Sequence, residues 1–562
     1  MTNRLPRRAF LFLKRNAPFH NIFNSIAQSI KTAGEQIKSE QIRRIESVLQ
    51  KDLHSRSGIL PHGIIKNPYL GNSTIFTVVM LSILLGLLAS TGSVLATLAP
   101  IAMVVILFLT IYPWLFIWLI IFSALTIVGA VRLYLPDYQA IRWAYPPLAI
   151  AIPLAIYLLQ KQDNNNKNAN PLPAVFWLAM AFVLISIISV FLNWPGYSSA
   201  ALGIKNYFQV WAILLSFAII GYRGDFTRPL IVAIISIALL QLPFVFHQWL
   251  YIMPQRIGYL LVSPDDVIAG TFGADYYGGG NNAVLSAYLI ITIGILISLW
   301  KEGAIKLQWL ILGASLLVFP IFLNETKIAV FYFWLMFIVI YWEDIIKRPM
   351  HFIFGNIVLI LFLILFIAIY SHIAASDGHR INGISDYLEF IKEQNLNVGY
   401  GKYSLNRWTS LTFWYREHIP NDYLHAIIGH GTGQSQEGGV LLTSNLSLAS
   451  KRYQGMGIGL TAVTSLLWDV GLLGFTIISL LFLSAYKLAG NLVRLHKGNN
   501  ISVALYKGLQ VAVAIIYLSL THKNFFVFEL SFQALFIMII GYLIYAARFS
   551  KKILCAQTIN VT

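Results

Sequence analysis

The chain has 562 residues, of which 57% are hydrophobic and 11% are charged. The cores of soluble domains cannot bury so much apolar surface, so the composition excludes a soluble protein and indicates that the bilayer is the solvent. The single cysteine, Cys555, also excludes a disulfide within the chain.

The formal net charge of +17 is concentrated at the N-terminus, where a basic segment at 1–73 is expected on the cytoplasmic side. This segment holds twelve Lys/Arg against four Asp/Glu, which suits anionic lipid and needs no nucleic acid. Apolar residues repeat every three to four positions from Phe23 to Leu53, which predicts an amphipathic helix on the inner leaflet. Binding of a partner protein is the alternative. No cleavable signal sequence is visible, because the first strongly apolar run follows this segment.

Apolar runs close to the roughly 20 residues that cross a bilayer recur from Thr74 to Arg548. They predict an all-α polytopic membrane protein with about 14 transmembrane helices and one long outer loop that contains short helices. Pro100 and Pro113 divide the run at 94–133 into two helices. The regions are the N-terminal transmembrane helices (74–200), the central helices (201–374), the loop (375–456), the C-terminal helices (457–548) and a cytoplasmic tail (549–562).

The basic residues of the short loops predict the orientation, since cytoplasmic loops carry an excess of lysine and arginine. With a cytoplasmic N-terminus, the loops on that side hold Lys161, Lys167, Arg223, Arg228, Lys301, Lys306, Lys347, Arg348, Lys487, Arg494, Lys497, Arg548, Lys551 and Lys552. Both termini are therefore expected in the cytoplasm, and the loop at 375–456 is expected outside.

The outer loop carries seven Lys/Arg, seven Asp/Glu and a group of aromatic residues, so it is expected to pack rather than to be disordered. Residues 404–418 lack proline and glycine, which predicts a short helix ended by Pro420. At 100° per residue, Arg407, Leu411, Trp414 and His418 share one face, and Arg416 lies on the opposite face. The helix is expected to aim Arg407 at a ligand. A surface helix with a snorkelling arginine is the alternative.

The next stretch, "IIGHGTGQS", is a glycine-rich turn that contains His430 and follows His425. Glycines allow backbone N–H groups to converge on an anion, although such a motif can also be a simple turn.

Two further polar groups are expected on the same outer side. "IAGTFGADYYGGGNNAVLSAYLI" leads into a span through Asn281 and Asn282, with Arg256 and the pair Asp265 and Asp266 upstream. "PIFLNETKIAVFYFW" places Glu325 and Lys327 between two spans. Ionisable residues at such depth indicate a functional path, although Glu325 and Lys327 can also simply pair with each other.

The order of these motifs, from "GTFG" and "NN" through "NETKIAV", "NRW" and "IIGHGTG" to "TSLLWDVGLLGF", resembles the O-antigen ligase and O-antigen polymerase superfamily over about 205–480. The resemblance implies transfer of a glycan from undecaprenyl pyrophosphate to a sugar acceptor on the periplasmic face of the bacterial inner membrane. The implied reaction is a metal-independent inverting displacement without a cofactor.

By the same resemblance, Arg407 and Arg256 hold the pyrophosphate, and Lys327 occupies the place of a family arginine. Lysine supplies the charge but not the bidentate fork. The remaining substrate-binding candidates are Asn281, Asn282 and Arg416. The ligases place a catalytic histidine before the helix that follows the loop, and none is present there, which favours a polymerase. The candidates for the general base are therefore His430, His425, Glu325 and Asp469.

Several other functions stay open at this point. Transfer to a lipid or protein acceptor is the ligase alternative, and a lipid-linked oligosaccharide flippase is the non-enzymatic alternative, although no internal repeat is visible. A multi-span glycosyltransferase would usually carry an acidic residue in its first outer loop, which here reads "STGSVLA". The expected partners are the undecaprenyl-pyrophosphate-linked oligosaccharide, membrane lipid, and the flippase and chain-length regulator of the same pathway.

Overall fold

The computed structural model describes residues 113–160, 169–256, 263–324, 326–347, 403–437 and 447–559, with short helical stretches at 350–365 and single positions from 389 to 399. Within these ranges the regular structure is helical, and an isolated bridge joins Ala274 to Gly280. The predicted amphipathic tail, the spans expected before Pro113, and Glu325 lie outside the described residues. The prediction of an all-α fold is confirmed.

The first part of the bundle contains seven helices. They are α1 (Pro113–Thr126), α2 (Val128–Tyr134), α3 (Tyr145–Gln160), α4 (Ala174–Leu192), α5 (Tyr197–Tyr207), α6 (Ile213–Ile219) and α7 (Thr227–His247). Residues before Pro113 lie outside the described ranges, so the predicted division of the run at 94–133 into two helices stays a prediction.

The second part contains eleven helices. They are α8 (Asn282–Lys301), α9 (Leu307–Leu323), α10 (Ala329–Lys347), α11 (Arg407–His418), α12 (Tyr423–Ile428), α13 (Leu448–Arg452), α14 (Ala462–Leu495), α15 (Asn500–Ser519), α16 (Phe525–Phe528), α17 (Leu530–Arg548) and α18 (Ser550–Ile559). Three of these, α11 to α13, belong to the predicted outer loop.

Nine helical segments among the described residues are long and apolar enough to cross a membrane, and α9 is a shorter apolar helix. These segments confirm a polytopic membrane protein. Helices α8 and α17 are buried along nearly their whole length, so they form the centre of the bundle. The outer helices expose large apolar side chains such as Leu115, Trp177 and Phe191, which suits contact with lipid.

One end of the bundle, called the basic end here, carries lysines and arginines expected in cytoplasmic loops, such as Lys301 and Arg548. Lys301 pairs with Asp344 at 2.5 Å. The Arg548 guanidinium donates hydrogen bonds to the carbonyls of Ala218 and Ile220. The compartment that this end faces stays a prediction.

The opposite end, called the loop end, carries the described parts of the predicted outer loop, at 403–437 and 447–456, which are called the outer segment here. Helix α11 reaches the connection after α15, where Arg407 bonds to His522. Near the end of α4, the Ser189 hydroxyl donates a hydrogen bond to the backbone carbonyl of Asp469 in α14. The residues predicted on the outer side are therefore brought to one end of the bundle wherever the structure describes them.

Helix α14 is broken at Gly471, whose φ of 67° and ψ of −172° are not helical. The break frees the carbonyls of Trp468 and Asp469 from the helical ladder. The backbone N–H groups of His430 and Gly431 donate to these two carbonyls at 2.8 Å and 2.9 Å. The outer segment is thus hydrogen-bonded directly to the break in a membrane helix.

Candidate functional site

Helix α11 begins at Arg407, because Asn406 caps it. The Asn406 side chain accepts hydrogen bonds from the backbone of Trp408 and Thr409 at 3.0 Å and 2.9 Å, and the Thr409 hydroxyl accepts from the Asn406 N–H at 2.8 Å. This capping box sets the start of the helix three residues after the predicted Ser404.

The predicted faces of α11 are confirmed. Trp414 and His418 are buried, whereas Arg416 is exposed. The His418 ring packs against Trp468 of α14, with 4.5 Å between centroids. The aromatic face of the helix therefore packs on the end of the bundle, and Arg416 points away from it.

Three cations from separate segments, Arg407, Lys327 and Lys523, act electrostatically on His522. The Arg407 Nε donates to the His522 carbonyl at 2.8 Å. Burial, followed by the charges of Arg407, Lys523 and Lys327, lowers the pKa of His522 well below its usual value. Arg407 and Lys327 were predicted as substrate contacts, and they lie near the same histidine. Lys523 was not predicted, because only the fold brings its loop to this position.

The neighbouring carboxylates Asp265 and Asp266 precede α8, and Asp265 is within electrostatic range of Lys327. Asn282 donates to the Asp266 carboxylate at 3.1 Å, and the Asn324 side chain donates to the Asn282 carbonyl at 3.2 Å. These bonds hold the start of α8 against the turn that carries Lys327. Burial, followed by the charge of Asp266, raises the pKa of Asp265 to about 6, while Lys327 acts in the opposite direction. Asp265 therefore titrates in the range useful for a general base.

Arg256 and Asn281, two predicted substrate contacts, bond to the backbone of the loop before α8. The fully buried Arg256 donates to the Gly278 carbonyl at 2.7 Å, and Asn281 donates to the Phe272 carbonyl at 2.8 Å. They brace the loop behind Asp265, and their role as substrate contacts stays a prediction.

The glycine-rich turn at 429–433 does converge on an anion, and that anion is the Asp469 carboxylate. The backbone N–H groups of Gly433 and Ser435 donate to it at 2.9 Å and 2.7 Å. The hydroxyls of Tyr207 and Ser435 add bonds at 2.7 Å and 3.1 Å. Because Asp469 is fully buried and bonded by four donors, its geometry suits a structural anchor better than the base considered from the sequence.

Three histidines cluster where α11 and α12 approach the turn. The Nε2 atoms of His418 and His430 are 2.9 Å apart, and the rings of His425 and His430 stack with 4.1 Å between centroids. Burial, followed by the charges of His425 and His418, lowers the pKa of His430 to about 3. His430 is therefore neutral near pH 7, which makes it a weak base.

The cluster continues to a carboxylate and an amide. The His425 Nδ1 lies 2.6 Å from the Asp422 carboxylate, and its Nε2 lies 2.9 Å from the Asn193 side-chain oxygen. His418 stands eleven residues after Arg407, so their Cα atoms are about 16 Å apart along α11. The cation group and the histidine cluster thus occupy opposite ends of one helix.

The sequence interpretation missed an ion-pair group at the same end of the bundle. Arg132, within an apolar span, binds Asp275 through two bonds of 2.8 Å and 2.7 Å and pairs with Glu529 at 3.0 Å. The signal was an arginine inside a membrane helix, which is costly unless paired. It joins α2, the loop before α8 and the start of α17.

The fold and this end of the bundle define a polytopic α-helical membrane protein with a structured outer segment. No protein-family model matches the chain, and no curated protein matches it.

Proposed function

We propose that this protein is a polymerase of polysaccharide repeat units at the periplasmic face of a bacterial inner membrane. It transfers the glycan of one undecaprenyl-pyrophosphate-linked unit to a sugar hydroxyl of a second lipid-linked unit. The observation that carries the proposal is that Arg407, Lys327 and Lys523, from three segments, all act electrostatically on His522, with the Arg407 Nε bonded to its carbonyl at 2.8 Å. A lipid diphosphate needs such cations at the membrane surface, where its tail can stay in the bilayer.

In the proposed glycan transfer, the cations and the base have different roles. The bond between the anomeric carbon and the pyrophosphate oxygen breaks, and the leaving group keeps the electron pair. Cations aimed at that oxygen stabilise the charge as it develops, which is usually the largest catalytic term. The acceptor oxygen attacks the opposite face of the sugar with inversion and gives its proton to a base.

The base must lie near the anomeric carbon, which is bonded to the pyrophosphate itself. Asp265 is within electrostatic range of Lys327, and its raised pKa of about 6 suits a general base, so it is our first candidate. Glu325 is two positions before Lys327 in sequence and is the second acidic candidate. His430 and His425 cluster with His418, which lies about 16 Å along α11 from Arg407, and this separation favours an acidic residue as the base.

The polysaccharide of a strain that lacks this protein tests the proposal. We expect single repeat units on a lipid anchor, restored to long chains by the intact protein. Long polymer that lacks its anchor would instead identify a ligase, and lipid-linked units retained in the cytoplasm would identify a flippase. Either of these results contradicts a polymerase.

A further inference from the structure

We propose that Asp422, His425 and His430 bind a transition-metal ion such as Zn²⁺, which fastens the outer segment to the bundle. Each residue offers one ligand atom, and these atoms lie within 4.8 Å of one another. Two imidazoles and a carboxylate form a common donor set for Zn²⁺. The inference goes beyond the proposed function and does not depend on it.

The spacing of the donors is close to that of a loaded site. Donors about 2.1 Å from a tetrahedral metal are roughly 3.4 Å apart, so the short contacts must lengthen and the stacked rings of His425 and His430 must turn toward a shared ion. His418 lies beside the group, with its Nε2 2.9 Å from that of His430. It is therefore the natural fourth ligand.

In His418 and His425, the outer ring nitrogen, which faces away from the proposed metal ion, lies next to a hydrogen-bond acceptor, as is usual for metal-binding histidines. The His418 Nδ1 faces the Trp414 carbonyl at 2.9 Å, and the His425 Nε2 faces the Asn193 side-chain oxygen at 2.9 Å. A neutral ring that donates at this outer nitrogen keeps its lone pair on the inner one. Those inner nitrogens face His430 and Asp422, at 2.9 Å and 2.6 Å.

Contacts of this kind between electron-rich atoms need a cation between them. Protons fill that place when no metal is bound, and a metal ion would replace them, with release of the protons.

The position of the site indicates a structural role. Its residues come from the end of α11, from α12 and from the glycine turn, and His430 also bonds to the Trp468 carbonyl at the break in α14. Asn193 ties the group to the end of α4. A metal ion here joins the outer segment to two membrane helices, about 16 Å along α11 from Arg407.

The metal content of the full chain tests the inference. The protein is purified in detergent through a tag without histidine, stripped with chelator, and titrated with ZnCl₂. We expect about one tightly bound Zn²⁺ per chain. Asp422→Asn and His425→Gln should each weaken binding at least about tenfold, because loss of even an outer-shell partner costs that much. The matched control is His247→Gln, which changes an exposed histidine on α7.

Absorption of the unaltered protein with Co²⁺ gives a readout that does not depend on folded variants. We expect the intense visible bands of four-coordinate cobalt, displaced by Zn²⁺. A spectrum of hydrated cobalt overturns the inference. So does Zn²⁺ binding that is undetectable, or that is equal in Asp422→Asn, His425→Gln and His247→Gln.

Discussion

Replacing Arg407 with alanine removes one of the three cations that act on His522 and the hydrogen bond from Arg407 to the His522 carbonyl. A charged hydrogen bond to the leaving group is worth about 1.5 to 3 kcal/mol, so polymer synthesis should fall roughly 10- to 10³-fold. Arg407→Lys should recover part of the activity, since it keeps the charge and loses the fork.

The measurement is the amount and length of polymer made at matched expression. The control is Arg416→Ala, on the exposed face of the same helix, which should be much milder. Normal polymer from well-expressed Arg407→Ala would show that α11 is only a lid.

As the proposed general base, Asp265 sets the expected pH dependence of polymer synthesis. Its pKa is raised to about 6, and a base works only when deprotonated, so kcat/KM should fall about tenfold per unit below pH 6 and level off above it. In Asp265→Asn the remaining activity should be about 10²- to 10⁴-fold lower and should lose this acid limb. The exposed Asp137→Asn is the control, measured in vesicles with lipid-linked substrate. An acid limb that persists in Asp265→Asn would assign the base elsewhere.

At the scale of single elements, Gly471 decides how the outer segment docks. An alanine there would adopt a left-handed φ of 67°, and its Cβ would lie 2.3 Å from the Ile427 carbonyl oxygen. We expect Gly471→Ala to destabilise the protein by at least about 1–3 kcal/mol. Gly498→Ala, where a Cβ meets open space, is the matched control.

Thermal unfolding in detergent and proteolysis of the outer segment measure this effect. Equal midpoints for Gly471→Ala and Gly498→Ala would mean that the chain at Ile427 moves away without cost.

The helices were largely predictable from the sequence, but the residues that contact one another between distant segments were not. The aromatic face of α11 follows from spacing alone, and Trp414 and His418 are buried as expected. The glycine turn suggested an anion, but its identity depends on Asp469, which is 36 residues from Gly433 in the chain. The pKa of Asp265 likewise depends on burial, which no local pattern records. Contacts between distant segments carry the information that the pattern lacks.

At the scale of the whole molecule, the two ends of the bundle should face different compartments. We expect a cysteine at the exposed position of Tyr423 to react with an impermeant thiol reagent from outside, in a chain whose Cys555 is replaced by serine. A cysteine at Gly498, at the other end of α14, should react only after the membrane is opened. Labelling of Gly498→Cys rather than Tyr423→Cys in intact cells would invert the orientation.

The bonds around Asp469 also constrain the order of biosynthesis. Ser189 meets the Asp469 carbonyl across 280 residues and the Gly431 N–H across 242 residues. Helix α4 therefore enters the membrane long before its polar partner has been translated. During that interval Ser189 needs another hydrogen-bond partner, such as a carbonyl of its own helix, because an unmade bond is costly in lipid. The outer segment, although translated before α14, can dock only after that helix has been inserted with its break.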